Sequence, residues 1–136
     1  MIEPNVILVV DDNPIFRNTL AEWLRGLSYQ VLIAGNGEAA FIELRDWPRR
    51  IGWLYSRANL PGLIDGWILA DEYHDSFPRR AAVLSSYEAR TSAQGHIVLP
   101  QPTPSMVFNT LRQVIEPSRG SENAECLCAF AHHAAA

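Results

Sequence analysis

The chain has 136 residues, of which 48% are hydrophobic and 19% charged, and its formal net charge is −4. This length and balance are typical of one globular domain with a sizeable core, and no apolar run approaches the roughly 20 residues that span a bilayer. Lysine is absent, and a mildly acidic chain without a dense basic stripe is a poor electrostatic match for nucleic acid. We therefore expect a cytoplasmic protein that binds neither membrane nor nucleic acid.

The first half of the chain alternates between strand and helix patterns. Residues 6–10 form a continuous apolar run, typical of a strand buried on both faces of a parallel sheet, and Asn13-Pro14 then starts an amphipathic helix. Tyr29 to Ala34 predicts a second strand, and Glu38 to Asp46 a second helix that Trp47-Pro48 ends.

The second half continues this alternation. The predicted elements are a strand at Ile51 to Tyr55, a helix at Trp67 to Asp75, strands at Ala81 to Leu84 and Ile97 to Leu99, and a last helix at Thr103 to Ile115. The pattern indicates an α/β, doubly wound, flavodoxin-like fold whose five-stranded parallel sheet has the order 2-1-3-4-5. We assign residues 1–116 to this domain and residues 117–136 to a linker and tail, for which a short helix is one expectation.

The tail contains Cys126, Cys128, His132 and His133. A Cys-x-Cys pair followed by adjacent histidines is not a standard zinc spacing, and cysteines two apart argue against a structural disulfide framework. We therefore expect no metal site in the tail.

Acidic residues follow the first strand, where ligands of open parallel sheets bind. Two adjacent carboxylates, Asp11 and Asp12, suit a hard cation such as Mg²⁺. Alternatively, Asp12 and Asn13 cap the first helix, since both residue types are common at that position. Spacing alone leaves the two interpretations open.

Five short motifs occur along the chain in a meaningful order. They are Val9-Val10-Asp11-Asp12-Asn13-Pro14, Gly35-Asn36-Gly37-Glu38-Ala39-Ala40, Leu60-Pro61-Gly62 with Asp65-Gly66, Val83-Leu84-Ser85-Ser86, and Gln101-Pro102. With these motifs, residues 5–116 resemble the receiver domain of two-component response regulators. The resemblance implies a CheY-like fold and a role in phosphorelay signal transduction.

In receiver domains the acidic pair binds Mg²⁺, and an aspartate that ends the third strand accepts phosphate from a histidine kinase. A serine or threonine and a lysine then contact the phosphoryl group. The resemblance places Asp11 and Asp12 on the acidic pair and Ser85 on the hydroxyl position, but it places Arg57 on the acceptor and Gln101 on the lysine. A guanidinium stays protonated and has no free lone pair to attack phosphorus, so Arg57 cannot hold an aspartyl phosphate. The phosphorylation site is predicted to be degenerate.

Two further departures concern the switching surface of the family. The position of its switch aromatic falls on Val98, and the stretch from Ser85 to Gln101 is shorter than the family usually has. A helix within Tyr87 to Gln94 has room for only about two turns of 3.6 residues. We therefore predict a shortened fourth helix and an altered output surface.

Arg57 itself has two interpretations. Its fixed positive charge can replace the metal ion by pairing with Asp11 or Asp12, or the side chain can turn outward to solvent. We favour the internal pair, because the two carboxylates repel each other without a cation and the strand alternation aims residue 57 at the crevice. No cofactor is expected, and Mg²⁺ on the residual acidic pair is the alternative.

The function predicted from these observations is a non-enzymatic, atypical receiver-like module that acts through protein contacts without phosphorylation at the usual site. The expected partner is a histidine kinase, another response regulator or a second copy of the chain. One alternative is a receiver that takes phosphate at another residue or binds a small ligand in the altered crevice. The weakest alternative is a hydrolase that uses Ser85.

Overall fold

The computed structural model of the chain describes residues 6–46 and 50–116. The predicted tail with its cysteines and histidines, and the predicted helix end at Trp47-Pro48, lie outside these described residues.

The described part of the chain contains nine elements, and strands alternate with helices except between β4 and β5. The strands are β1 (Val6–Val10), β2 (Gln30–Ala34), β3 (Ile51–Arg57), β4 (Val83–Ser86) and β5 (Ile97–Pro100), and the helices are α1 (Pro14–Gly26), α2 (Gly37–Asp46), α3 (Gly66–Ser76) and α4 (Pro104–Ile115). All strand pairs are parallel and the sheet order is β2-β1-β3-β4-β5. The predicted doubly wound fold and its strand order are confirmed.

The sheet separates two apolar layers. Side chains of β1 and β3 that point to one face, such as Ile7, Val9 and Tyr55, pack with α1 and α4. Leu8 and Leu54, on the opposite face, pack with α2 and α3. β1 is buried along its whole length, which explains its continuous apolar sequence, because a central parallel strand is covered by helices on both sides.

The predicted shortened helix between the fourth and fifth strands is wrong. Residues 87–96 of the described chain contain neither helix nor strand, and nearly all of residues 87–95 are exposed. A short helix is marginal in water unless an apolar face packs against the protein, and the polar sequence from Tyr87 to Gln94 provides no such face. Gly95 adds a positive φ of 84°, a conformation that interrupts a helix. We call residues 87–96 the connecting segment.

Two contacts attach the connecting segment to the sheet and to α3. The guanidinium of Arg90 lies over the ring of Trp67 at 4.5 Å, and the ring of His96 is buried.

Within residues 6–46 and 50–116, none of the helices is long and apolar enough to cross a membrane.

Candidate functional site at the carboxyl ends of the strands

The register of the parallel strands brings the predicted site residues to one level of the sheet. Val10 lies opposite Ser56, so Asp11 follows β1 next to the end of β3. Arg57 lies opposite Ser85 on β4. Asp11, Arg57 and Ser85 therefore meet at the carboxyl edge, where the topology of this sheet places ligand sites.

Arg57 forms ion pairs with both aspartates of the acidic pair. Its Nε lies 2.9 Å from Asp11 Oδ1 and 3.2 Å from Asp12 Oδ1. Asp11 is fully buried, whereas the side chains of Arg57 and Asp12 are 23% and 42% exposed. The expected contact between Arg57 and the acidic pair is present, and it compensates a carboxylate that has no access to solvent.

Tyr55 completes this network, and the sequence analysis did not identify it as a site residue. Its phenol donates a hydrogen bond to Asp11 Oδ2 at 2.8 Å and lies 2.9 Å from Ser85 Oγ. A phenol has one hydrogen, so Ser85 is the donor in the second bond. The available signal was strand alternation, because Tyr55 and Arg57 are two apart on β3 and point to the same face.

The buried charges shift the pKa values of both β3 residues. Burial, and next the negative charge of Asp11, raise the pKa of Tyr55, so its phenol stays neutral. Burial alone would lower the pKa of Arg57, but the hydrogen bond and charge of Asp11 outweigh that effect and raise it. The network therefore contains a protonated arginine, a neutral tyrosine and the carboxylates that face them.

Asn13 links the acidic pair to the start of α1. Its side chain caps the helix by accepting hydrogen bonds from the backbone N–H groups of Ile15 and Phe16, at 3.0 and 3.3 Å. Its own N–H donates to Asp11 Oδ1 at 2.9 Å. The capping interpretation therefore applies to Asn13, while Asp12 pairs with Arg57.

The loop after β3 is held close to the site by two tight contacts. Gly66, the first residue of α3, approaches so closely that a Cβ there would lie 2.3 Å from the carbonyl oxygen of Arg57. On the other side, the carboxylate of Glu38 accepts hydrogen bonds from the backbone N–H groups of Leu63 and Ile64. These hydrogen bonds lower the pKa of Glu38, and the bond from Leu63 is the largest cause. These contacts hold the second half of the loop against α2 and against the end of β3.

Comparison with known proteins gives structural neighbours only: no protein-family model matches the chain, and no curated protein matches it. The receiver domain of the hybrid histidine kinase CckA is similar over 81% of this chain and 98% of its own, with 28% identity and a TM-score of 0.67. The fold is that of a receiver domain. A response regulator receiver protein from Sinorhizobium medicae is similar over 84% of this chain and 96% of its own, with 21% identity and a TM-score of 0.69.

A third neighbour comes from a CheX–CheY complex with BeF₃ and Mg²⁺ from Borrelia burgdorferi. It covers 82% of this chain and 90% of its own chain, at 16% identity and a TM-score of 0.67. At such low identity the likeness concerns the fold alone. Roles of individual residues must be argued from their contacts.

The remaining receiver positions lie close to the network but make other contacts. Gln101 lines a cleft of 210 Å³ beside Arg57 and Ser85, yet its amide donates to the backbone oxygen of Tyr87 at 3.0 Å. Val98 is partly buried and packs against the core under α2 and α3. Asp65 caps α3 by accepting from the N–H of Ile68 at 3.0 Å.

A metal ion at the acidic pair would have to compete with Arg57. No group of three or more His, Cys, Asp or Glu side chains in residues 6–46 and 50–116 is arranged to hold a metal. The candidate ligands are Asp11 and Asp12, and both oxygens of Asp11 already accept hydrogen bonds from Arg57, Tyr55 and the N–H of Asn13. Mg²⁺ also needs several oxygen ligands at short distance, so it could bind Asp11 only by displacing these donors.

Ser85 has no histidine as a base within the described residues. Its hydroxyl donates to Tyr55, and neither His74 nor His96 hydrogen-bonds to it. The hydrogen-bond chain from Ser85 ends on Asp11, whose carboxylate oxygens already accept from Tyr55 and Arg57. A serine nucleophile needs an adjacent general base, and the described part of the site does not supply one.

Proposed function

We propose that this chain is an atypical receiver-like module of two-component signal transduction that acts through protein contacts and takes no phosphate at the end of β3. The carrying observation is the ion pair of Arg57 with Asp11 at 2.9 Å, at the end of the strand where a receiver would carry its acceptor. The guanidinium occupies the place of both the nucleophile and the counter-ion.

The lysine position supports the same proposal. In ordinary receivers a lysine supplies positive charge to the phosphoryl group, whereas the amide of Gln101 is neutral and bonds to Tyr87. A phosphoryl group in this cleft would therefore lack the positive charge that the lysine supplies on that side of the site. Two separate defects would have to be corrected before the site could work.

The switching step is also affected. The hydroxyl of Ser85 is hydrogen-bonded to Tyr55, and Val98 stands in place of the aromatic ring that moves in ordinary receivers. A ligand shifts an equilibrium only when it binds two states differently. We therefore propose that the protein holds one binding-competent state constitutively.

Exposed apolar side chains around the carboxyl edge support a protein partner. Leu63 is 91% exposed, Ile15 78% and Tyr87 64%, and each lies on a loop or helix start that follows β1, β3 or β4. Large apolar groups concentrated at one edge are typical of interaction surfaces. The partner proposed is a histidine kinase, another response regulator or a second copy of this chain.

Incubation with acetyl phosphate and Mg²⁺, followed by intact mass, tests the proposal. We expect no covalent phosphoryl adduct on the wild-type chain. An adduct, mapped by peptide sequencing to any residue, would replace the proposal with a receiver that uses a different acceptor.

Restored variants provide the positive control. Arg57→Asp supplies a third carboxylate and should recover Mg²⁺ affinity, but it leaves the neutral Gln101 beside the phosphoryl position. The double variant Arg57→Asp/Gln101→Lys should be phosphorylated more readily than the single one. If the single variant reacts as well as the double, Gln101 is not a second defect.

A constitutive module should also keep its assembly state when phosphodonor is added. Light scattering with and without acetyl phosphate and Mg²⁺ should give the same mass. If the carboxyl edge forms the contact, Ile15→Ser should weaken any dimer or kinase binding, whereas Ile42→Ser, at an exposed position on α2, should not. A phosphodonor-dependent change in mass would show that a switch survives.

The cleft beside Arg57 favours one second candidate. Its 210 Å³ and its lining by Arg57, Asn59 and Ser86 could hold a small polar ligand. Thermal-shift measurements with small carboxylates and oxyanions test this candidate, and a Tm increase that is lost in Asn59→Ala would support it.

A further inference from the structure

His96 fixes the end of the connecting segment to the sheet. The residue is 7% exposed, and its Nδ1 accepts a hydrogen bond from the backbone N–H of Ala82 at 2.9 Å. An imidazole nitrogen that accepts is unprotonated, so in the neutral ring Nε2 carries the hydrogen and faces Gln94 Oε1 at 3.2 Å. The observed geometry therefore requires the neutral form of His96.

The bond lies beside the pairing between β4 and β5. Ala82 also accepts, through its carbonyl oxygen, the N–H of Ile97 at 2.9 Å. The ring of His96 thus extends the ladder of hydrogen bonds by one bond beyond the strand pair, at the point where the connecting segment enters β5. Loss of this bond would release the segment from the sheet at its C-terminal end.

The groups that face His96 come from α3 and from the connecting segment. The ring of His74 on α3 lies edge-on at 5.7 Å between centroids, and its Nδ1 is buried without a hydrogen-bond partner in the described chain. Asp71 on α3 and Arg90 of the segment line the same groove as His96, whose volume is 440 Å³. Asp71 is the one carboxylate in this group, while His74 and Arg90 are basic. A positive charge on His96 would therefore be only weakly compensated.

We propose that His96 is an acid-sensitive latch that holds the connecting segment against the sheet while its ring is neutral and releases the segment when the ring is protonated. A proton on Nδ1 turns the acceptor into a donor that faces the N–H of Ala82. Two donors cannot share a hydrogen bond, so the ring has to leave its position. This inference is independent of the proposed signalling function.

Burial, and next the neighbouring His74, lower the pKa of His96, while Asp71 acts in the opposite direction. The unfolded chain therefore takes up this proton more readily than the folded one. The latch contributes its full stability above the ordinary histidine pKa of about 6.5, and this contribution falls as the pH drops below that value.

Amide hydrogen exchange of the full chain at about pH 8 and about pH 5.5 tests the latch. After correction for intrinsic exchange rates, we expect protection of the hydrogen-bonded amides of Ala82, Gly95 and Ile97 to fall by about tenfold at the lower pH, the effect of one lost hydrogen bond. The amides of β1 should keep their protection, which excludes general acid unfolding.

Two variants distinguish the latch from other acid effects. His96→Gln has no titrating ring, so the amides of Ala82, Gly95 and Ile97 should each show the same protection at both pH values. His74→Gln retains the latch but removes the adjacent histidine, so release should begin at a higher pH. An equal acid-induced loss in His96→Gln, or unchanged protection in the wild type, would overturn the proposal.

Titration of the His96 ring by NMR tests the same proposal without a variant. Its midpoint should coincide with the loss of amide protection in the wild-type chain. Midpoints that differ by more than about one pH unit would also reject the latch.

Discussion

The carboxyl-edge network and the connecting segment differ in how many contacts hold their side chains in place. In the network, Arg57, Tyr55 and the N–H of Asn13 all bond to a fully buried Asp11. In the connecting segment, residues 87–95 are nearly all exposed and no regular element forms. The buried charge of Asp11 is stabilised by these partners, whereas the polar sequence of the connecting segment has no apolar face that a helix could bury.

The largest predicted effect comes from removing the cation of the carboxyl-edge network. Arg57→Ala leaves Asp11 buried without a counter-charge, and we expect a loss of about 3 kcal/mol in the free energy of unfolding, at the lower end for broken buried pairs because water can reach part of the site. Urea denaturation at neutral pH measures it. The matched control is Arg112→Ala, which removes an exposed i,i+4 pair with Glu116 and should cost about 0.3–0.5 kcal/mol. Equal effects would mean that the site pair is a surface pair.

A smaller loss of stability is expected from removing the phenol oxygen of Tyr55, which bonds to Asp11 next to the ion pair with Arg57. Tyr55→Phe keeps the ring that stacks on Phe16 but deletes the donor to Asp11 and the acceptor for Ser85. We expect a loss of about 1–3 kcal/mol, because two buried polar atoms lose their partner. Thermal unfolding of Tyr55→Phe against the wild type measures this loss. An unchanged Tm would mean that Ser85 and Asp11 find other partners.

The connecting segment should respond weakly and locally. Arg90→Ala removes the stack on Trp67 and should lower the free energy of unfolding by only about 0.5–1 kcal/mol. Hydrogen exchange should rise in residues 87–96 and remain unchanged in β1. If the effect spreads to the sheet, the connecting segment is coupled to the core more strongly than its contacts indicate.

No effect is expected from Mg²⁺ on the wild-type protein. Millimolar Mg²⁺ and a chelator should give the same Tm, because Arg57 occupies the carboxylates that the ion would need. In Arg57→Ala the acidic pair has lost its counter-ion, so Mg²⁺ should raise the Tm by mass action. A Mg²⁺-dependent rise in the wild type would contradict the assignment of Arg57 as the counter-ion.

The strand order could be predicted from sequence because the apolar runs, turns and motifs alternate regularly, and the contact between Arg57 and the acidic pair followed from the end of a buried strand. Tyr55 was missed because a tyrosine in a buried strand is indistinguishable in sequence from a core residue. Its hydroxyl bonds to Asp11 and Ser85 only because β1 and β4 lie on either side of β3. The helix predicted within Tyr87 to Gln94 failed because its length was inferred from family resemblance, while its polar sequence had no face to pack. His96 could not be assigned because its partner is a backbone N–H in another loop.

The pairing of Arg57 with Asp11 has a consequence for how the protein responds to its surroundings. A divalent ion is a separate molecule, so its occupancy follows its concentration, and dialysis or a competing chelator removes it. The guanidinium of Arg57 is covalently part of the chain, with a stoichiometry fixed at one and no dissociation into solvent. Ionic composition can therefore screen this site but cannot empty it.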